Sequence, residues 1–149
     1  MDKLERARML IEKNSFITWL GIELDGLETD RAVVRLEPGR QHLNPYGIVH
    51  GGVYATMADT AAAIAARTDG RDYVTQCSTL NFLHSQSEGM LRAEARVRHR
   101  GRSTCVVEVN VTGTDGKLLA TGTMTFFCLG NEHFTDESGQ IHIPRGESK

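Results

Sequence analysis

Asn44-Pro45-Tyr46-Gly47-Ile48-Val49-His50-Gly51-Gly52, followed by an apolar run over residues 53–66, decides the fold of this chain. The run contains no Pro and no Gly, and apolar residues occupy nearly all of its faces. That pattern predicts a helix that starts near Gly51 and is buried on most sides. Asp59 sits in its middle, where an ionised carboxylate is costly unless it is paired or put to use. One sheet curled around such a helix covers part of it, and a second copy of the chain can cover the rest.

The flanks supply the sheet. Residues 21–27 and 31–37 read as strands joined by a turn at Glu28-Thr29-Asp30. Residues 73–83 read as a third strand. Residues 90–100 alternate most cleanly, with Leu91, Ala93, Ala95 and Val97 on one face and Arg92, Glu94, Arg96 and Arg98 on the other. After a turn at Gly101-Arg102, Cys105, Val107, Val109 and Val111 repeat the alternation. A turn at Thr114-Asp115-Gly116 leads into a last strand over 117–128, which completes an antiparallel meander. Ahead of the sheet, Asp2 is placed to cap a short amphipathic helix that presents Leu4, Ala7, Leu10 and Ile11. Phe16, Trp19 and Leu20 are expected to pack against the body. The polar, weakly patterned residues from about Gly130 are expected to fray.

Composition narrows the function classes. A chain of 149 residues is one domain by length. Its net charge of −2 provides no field toward nucleic acid or an anionic membrane. The start, Met1-Asp2-Lys3-Leu4-Glu5-Arg6, is too charged for a signal peptide, and no apolar run reaches spanning length. Cys77, Cys105 and Cys128 are odd in number and lie in predicted strands. They read as reduced core thiols, which favours the cytoplasm. His42, His84, His99, His133 and His142 show no zinc-like spacing, so neither a metal nor another cofactor is expected.

The helix start and Asp59 point to a reaction at a carbonyl. Free N–H groups at a helix N-terminus polarise a carbonyl oxygen. A carboxylate that attacks that carbonyl, or activates water beside it, must come within about 3–3.5 Å. Gly51 and Asp59 are separated by about 12 Å along one helix axis. Two antiparallel copies across a twofold axis bring the two groups together, so Asp59 of one subunit is expected to work with Gly51 of another.

The pattern Asn-x-x-Gly-x-x-His-Gly-Gly with an Asp nine residues after the His resembles the hotdog-fold thioesterases. It is most similar to the PaaI-like, phenylacetate-pathway branch of the 4-hydroxybenzoyl-CoA thioesterase superfamily. The matching residues are Asn44, Gly47, His50, Gly51, Gly52 and Asp59. The resemblance implies an α+β hotdog fold, with an antiparallel sheet wrapped around one long helix. It covers a core of about 15–129 within a single domain spanning 1–149.

The resemblance also implies roles. Asp59 acts as base or nucleophile, and the Gly51 N–H polarises an acyl-CoA thioester. Asn44 positions water or substrate, and His50 orders the helix start. Gly52 lies at the same helix start. Related chains place a Ser or Thr hydroxyl opposite the acid; the matching position is Cys77, with Thr75, Ser78 and Thr79 nearby. The basic turn Arg98-His99-Arg100-Gly101-Arg102-Ser103-Thr104 is a seat for the coenzyme A phosphates or a solvated hairpin. The implied assembly is a homodimer, paired again into a homotetramer. A non-catalytic acyl-CoA binder on the same fold is the alternative, with an enoyl-CoA hydratase behind it. Taken alone, Asp59 is equally an acid satisfied by Ser, Thr or backbone donors, and Asn44 a turn residue. Tyr46, Tyr54 and Met57 flank the motif as pocket walls or core.

Overall fold

The helix that begins at Gly51 is the axis around which the rest is built. The structure, a computed structural model, describes residues 2–130 together with the backbone of 134–135 and 141–142. Its elements are α1 (Lys3–Glu12), α2 (Ser15–Leu20), β1 (Glu23–Glu28), β2 (Arg31–Leu36), α3 (Gly51–Arg67), β3 (Asp72–Phe82), β4 (Leu91–Arg100), β5 (Thr104–Thr112), β6 (Leu118–Gly130), β7 (Phe134–Thr135) and β8 (Ile141–His142). Six strands form one antiparallel sheet in the order β1-β2-β4-β5-β6-β3. This sheet wraps α3, the α+β hotdog arrangement expected from the sequence.

Alternation explains the packing. Ala32, Val34 and Leu36 of β2, Leu91, Ala93 and Ala95 of β4, and Cys105, Val107, Val109 and Val111 of β5 are all buried. They meet Met57, Ala58, Ala61, Ala62, Ala65 and Ala66 of α3, each without solvent contact. The small alanine surface lets the helix lie close to the concave sheet. β4, β5 and β6 pair as the predicted meander, with β6 running to Gly130.

At the N-terminus, Asp2 and Glu5 form a reciprocal capping box on α1. Ala7 and Ile11 are its buried residues. The expectation for α2 needs correction. Ile17 is buried, but Phe16 is exposed and Trp19 is 79% exposed. A six-residue helix has one inward row, and Ile17 occupies it. Cys77 is likewise exposed rather than a core thiol, whereas Cys105 is buried and Cys128 half-buried. The tail expected to fray lies mostly outside the described residues; within it, β7 and β8 pair antiparallel.

Arg100 ties the C-terminal end of α3 to the sheet. Its Nη1 donates to the Ala66 carbonyl at 2.6 Å and to Tyr73 Oη at 3.0 Å. Its guanidinium also pairs with Asp30 at 2.7 Å and Asp69 at 3.0 Å. Burial alone would raise the Asp69 carboxyl; hydrogen bonds from Tyr73 and Arg71, with the Arg100 charge, outweigh it and hold it below its ordinary 3.8. Arg100→Met takes its donor from the Ala66 carbonyl and its cation from Asp30 and Asp69. The expected cost is roughly 2–3 kcal/mol. It appears as a Tm lowered by about 5–10 °C in thermal unfolding. A depressed carboxylate stabilises above its unfolded pKa and stops doing so as pH falls through the folded value. The Asp69 contribution is therefore complete above the ordinary 3.8 and fades below it, and Asp69→Asn flattens that part of the Tm–pH curve.

Candidate active site

The loop before α3 is built around Asn44 and His50. Asn44 Oδ1 accepts from Tyr46 N at 3.0 Å and Ile48 N at 3.4 Å, which closes an Asx-type turn. Gly47, with φ +74°, occupies the left-handed position of that turn. Val49 is buried, and His50 follows as the N-cap of α3. The His50 backbone N–H donates to the carbonyl of buried His42, whose ring bonds Gly39 N and the Leu20 carbonyl.

The cap leaves one donor unspent. His50 Nδ1 accepts from Gly52 N at 2.8 Å, and Val53 N donates to the His50 carbonyl. A Cβ at Gly52 would lie 2.9 Å from His50 Nδ1, so this capping geometry needs glycine there. The Gly51 N–H makes no hydrogen bond among the described residues. Gly51 lines a cavity of about 270 Å³ together with Asn44, Tyr54, Phe82 and His84. The motif thus brings Asn44 and Gly51 to one cavity, with His50 and Gly52 shaping the helix start behind it. Of its apolar neighbours, Tyr54 lines this cavity, Met57 belongs to the core, and Tyr46 is exposed.

Asp59 opens into a different and larger cavity, of about 580 Å³, walled by α1, α2, α3 and β3. The expectation of a buried acid is corrected: Asp59 is half-exposed, and the opening accounts for it. Its Oδ1 accepts from Thr75 Oγ1 at 2.6 Å. Leu10, Ile11, Phe16, Ala63 and Ile64 supply apolar wall.

The hydroxyl opposite the acid is therefore on Thr75, not at the Cys77 position. Tyr73 and Thr75 face the helix, but a bulge between Thr75 and Cys77 inserts one residue against β6. A bulge reverses the facing of the residues beyond it. Ser78 then lines the cavity and Leu80 packs on the core, while Cys77 and Thr79 turn to solvent. Counting by twos from Tyr73 finds Thr75 but misses the shift.

The basic turn divides. Arg100 is consumed by Asp30, Asp69, Tyr73 and Ala66, so it is a lock rather than an open anion seat. The carbonyls of Gly101 and Arg102 accept from Arg71, and the Ser103 carbonyl accepts from Cys128 N. The Arg102 and Ser103 side chains are exposed. Among the described residues, no group of three or more His, Cys, Asp or Glu is placed to hold a metal. No helix there is long and apolar enough to cross a membrane.

Comparison with known proteins agrees with this fold. The model of the thioesterase superfamily matches residues 46–120. The acyl-coenzyme A thioesterase PaaI of Escherichia coli is 32% identical over 117 residues, 78% of this chain and 84% of its own. The solved structure of that PaaI protein superposes with a TM-score of 0.81 at 28% identity, covering 87% of this chain and 97% of its own. The 1,4-dihydroxy-2-naphthoyl-CoA hydrolase of Listeria monocytogenes is 37% identical over 103 residues, 67% of this chain and 84% of its own. A hypothetical thioesterase of Streptococcus pneumoniae, solved with coenzyme A, gives a TM-score of 0.70 at 30% identity over 73% of this chain and 86% of its own.

Proposed function

Because the chain belongs to the thioesterase superfamily, in its PaaI-like branch, and is a thioester hydrolase, we propose that it hydrolyses acyl-coenzyme A at sites shared between two subunits. The observation that carries this reading is the pair of cavities: an unspent Gly51 N–H in one, and the Asp59 carboxylate in the other.

Strand β3 makes the shared site geometrically simple. It is an edge strand, exposed along most of its 11 residues. Thr75 and Ser78 border the Asp59 cavity, and Phe82 borders the Gly51 cavity. A long bare edge invites another strand. If two copies pair β3 to β3 antiparallel, the Thr75 end of one lies beside the Phe82 end of the other. Each Asp59 cavity then adjoins the partner's Gly51 cavity.

In the proposed reaction, the thioester oxygen accepts from the Gly51 N–H, which stabilises the developing oxyanion. Asp59 of the partner takes a proton from water as that water attacks, or attacks the carbonyl carbon itself to give a mixed anhydride that water then hydrolyses. The C–S bond breaks and coenzyme A leaves as thiolate. Asn44 spends its amide oxygen on the turn, so its amino group is the end left to face water or substrate. Thr75 fixes the carboxylate through its hydroxyl. Exposed Arg102 is the candidate of the basic turn for the coenzyme phosphates. The reading takes 1–149 as one domain of a cytoplasmic homodimer, paired into a homotetramer, with no resident cofactor and no nucleic-acid or membrane partner.

The test is released thiol from a panel of aliphatic and aromatic acyl-CoAs, with sedimentation at the assay concentration. Turnover by a dimer or larger assembly supports the reading; full activity in a strict monomer overturns the shared site. Thr75→Val removes the one hydroxyl that orients Asp59. A hydrogen bond to a charged group is worth about 1.5–3 kcal/mol. We therefore expect kcat to fall by about tenfold or more, with the assembly unchanged.

A further inference from the structure

Arg67 ends α3, eight residues beyond Asp59, and lines the same cavity. Its surroundings leave its charge poorly answered. Burial lowers its pKa; Asp72 and Asp59 act against that, and Arg6 adds to it. Its Nε is buried with no hydrogen-bond partner. Its one hydrogen bond among the described residues runs from Nη2 to the Tyr73 carbonyl at 3.0 Å. The obvious counter-ion, Asp72, is only 1% exposed and is already held through both oxygens by Arg6 Nη2, at 2.7 and 3.0 Å. Asp72 is thus spent on Arg6 and reaches Arg67 only through its charge. Arg67 is half-buried, and a cation whose buried Nε has no acceptor is costly to hold unless something else completes its shell.

The cavity gives that missing group a route. Leu10, Ile11, Ala63 and Ile64 form an apolar passage, with Asp59 and Arg67 also on its wall. The two α carbons are about 12 Å apart along the helix axis. Helical side chains lean toward the N-terminus, and Arg67 lines this passage with its Nη2 on the Tyr73 carbonyl. The span left beyond the thioester carbon suits a chain of about four to six carbons.

Building on the thioesterase reading, we propose that Arg67 is a specificity residue that receives a carboxylate at the far end of the acyl group, so that short dicarboxylic acyl thioesters are the preferred substrates. The planar guanidinium matches a carboxylate in shape and charge, and the apolar passage accepts the methylenes between.

Matched thioesters test this: adipoyl-CoA against hexanoyl-CoA, and succinyl-CoA against butyryl-CoA, with wild type, Arg67→Met and Arg67→Lys. We expect wild type to favour the carboxylated member by about tenfold or more in kcat/KM, mainly through KM. Arg67→Met should erase that ratio while hexanoyl-CoA turnover changes by less than about threefold. Equal kcat/KM within each pair in wild type overturns the proposal and leaves the thioesterase reading standing. So does a ratio that survives in Arg67→Met. If Arg67→Met does not fold, Arg67→Lys decides: an intermediate ratio supports the assignment and an unchanged one overturns it. If no thioester in the panel turns over, the thioesterase reading fails by itself. Calorimetric titration of adipate against hexanoate into wild type and Arg67→Lys then judges Arg67. Adipate binding weakened in the variant supports it, and equal binding of the two acids overturns it.

Discussion

Asp59→Asn is expected to lower kcat on every accepted acyl-CoA by about 10²–10⁴-fold, the range for loss of a positioned general base. Loss of a nucleophile would fall at or beyond the upper end. The fold should persist, because Asp59 is not half of a buried ion pair. Among the described residues its one hydrogen-bond partner is the Thr75 hydroxyl, and it lines the cavity. Asparagine has the same shape, and its amide oxygen still accepts from Thr75. What disappears is the charge and the basicity. The expected profile is therefore a large drop in kcat, a small change in KM and a Tm close to wild type. Thiol release, with circular dichroism as the fold control, measures all three. A variant retaining a tenth of wild-type kcat would remove Asp59 from the chemistry and return it to the role of a satisfied carboxylate.

Much of this site was legible in the chain because its elements carry local signals. The alternation in β4 and β5 reflects burial on one face, and the buried rows are those expected, apart from half-buried Val97. Gly51 and Gly52 mark the start of α3, and the run behind them has too little polar surface to be exposed. The illegible parts depend on partners distant in sequence or on one inserted residue. The bulge after Thr75 exchanges Cys77 and Thr79 for Ser78 and Leu80, and no side-chain pattern announces it. Arg100 reads as one cation of a basic turn until Asp30 and Asp69, about 70 and 31 positions away, fold against it. An alanine-rich helix shows no clear open face, so the half-exposure of Asp59 comes only from where α1, α2 and β3 leave a gap. Arg67 reads as an ordinary basic helix end until Arg6 takes Asp72 from it.

Gly51→Pro isolates the other half of the site with a single missing hydrogen. Gly51 is the first residue of α3, the helical position proline tolerates best. His50 has φ −61° and ψ 136°, the extended conformation a residue before proline prefers. A Cβ at this position meets the Phe82 ring at 3.6 Å, an ordinary contact. The helix should therefore form, lacking only the N–H that the proposed reaction uses to hold the thioester oxygen. Loss of one oxyanion donor costs about 10²–10³-fold in kcat. Gly51→Ala adds nearly the same carbon and keeps the N–H, so it should retain most activity; if it falls as far as the proline variant, crowding by Phe82 is the cause instead. Mixing then asks where the two halves meet. A dimer of one Asp59→Asn chain and one Gly51→Pro chain has one site with both defects and one with neither. Unfolding and refolding the two variants together in equal amounts should make about half of the dimers mixed and restore about a quarter of wild-type turnover. Were Asp59 and Gly51 of the same chain to serve one thioester, every site in the mixture would carry one defect and no activity would return. Recovery thus requires that the carboxylate and the helix terminus reach a single carbonyl from opposite sides of the β3 edge.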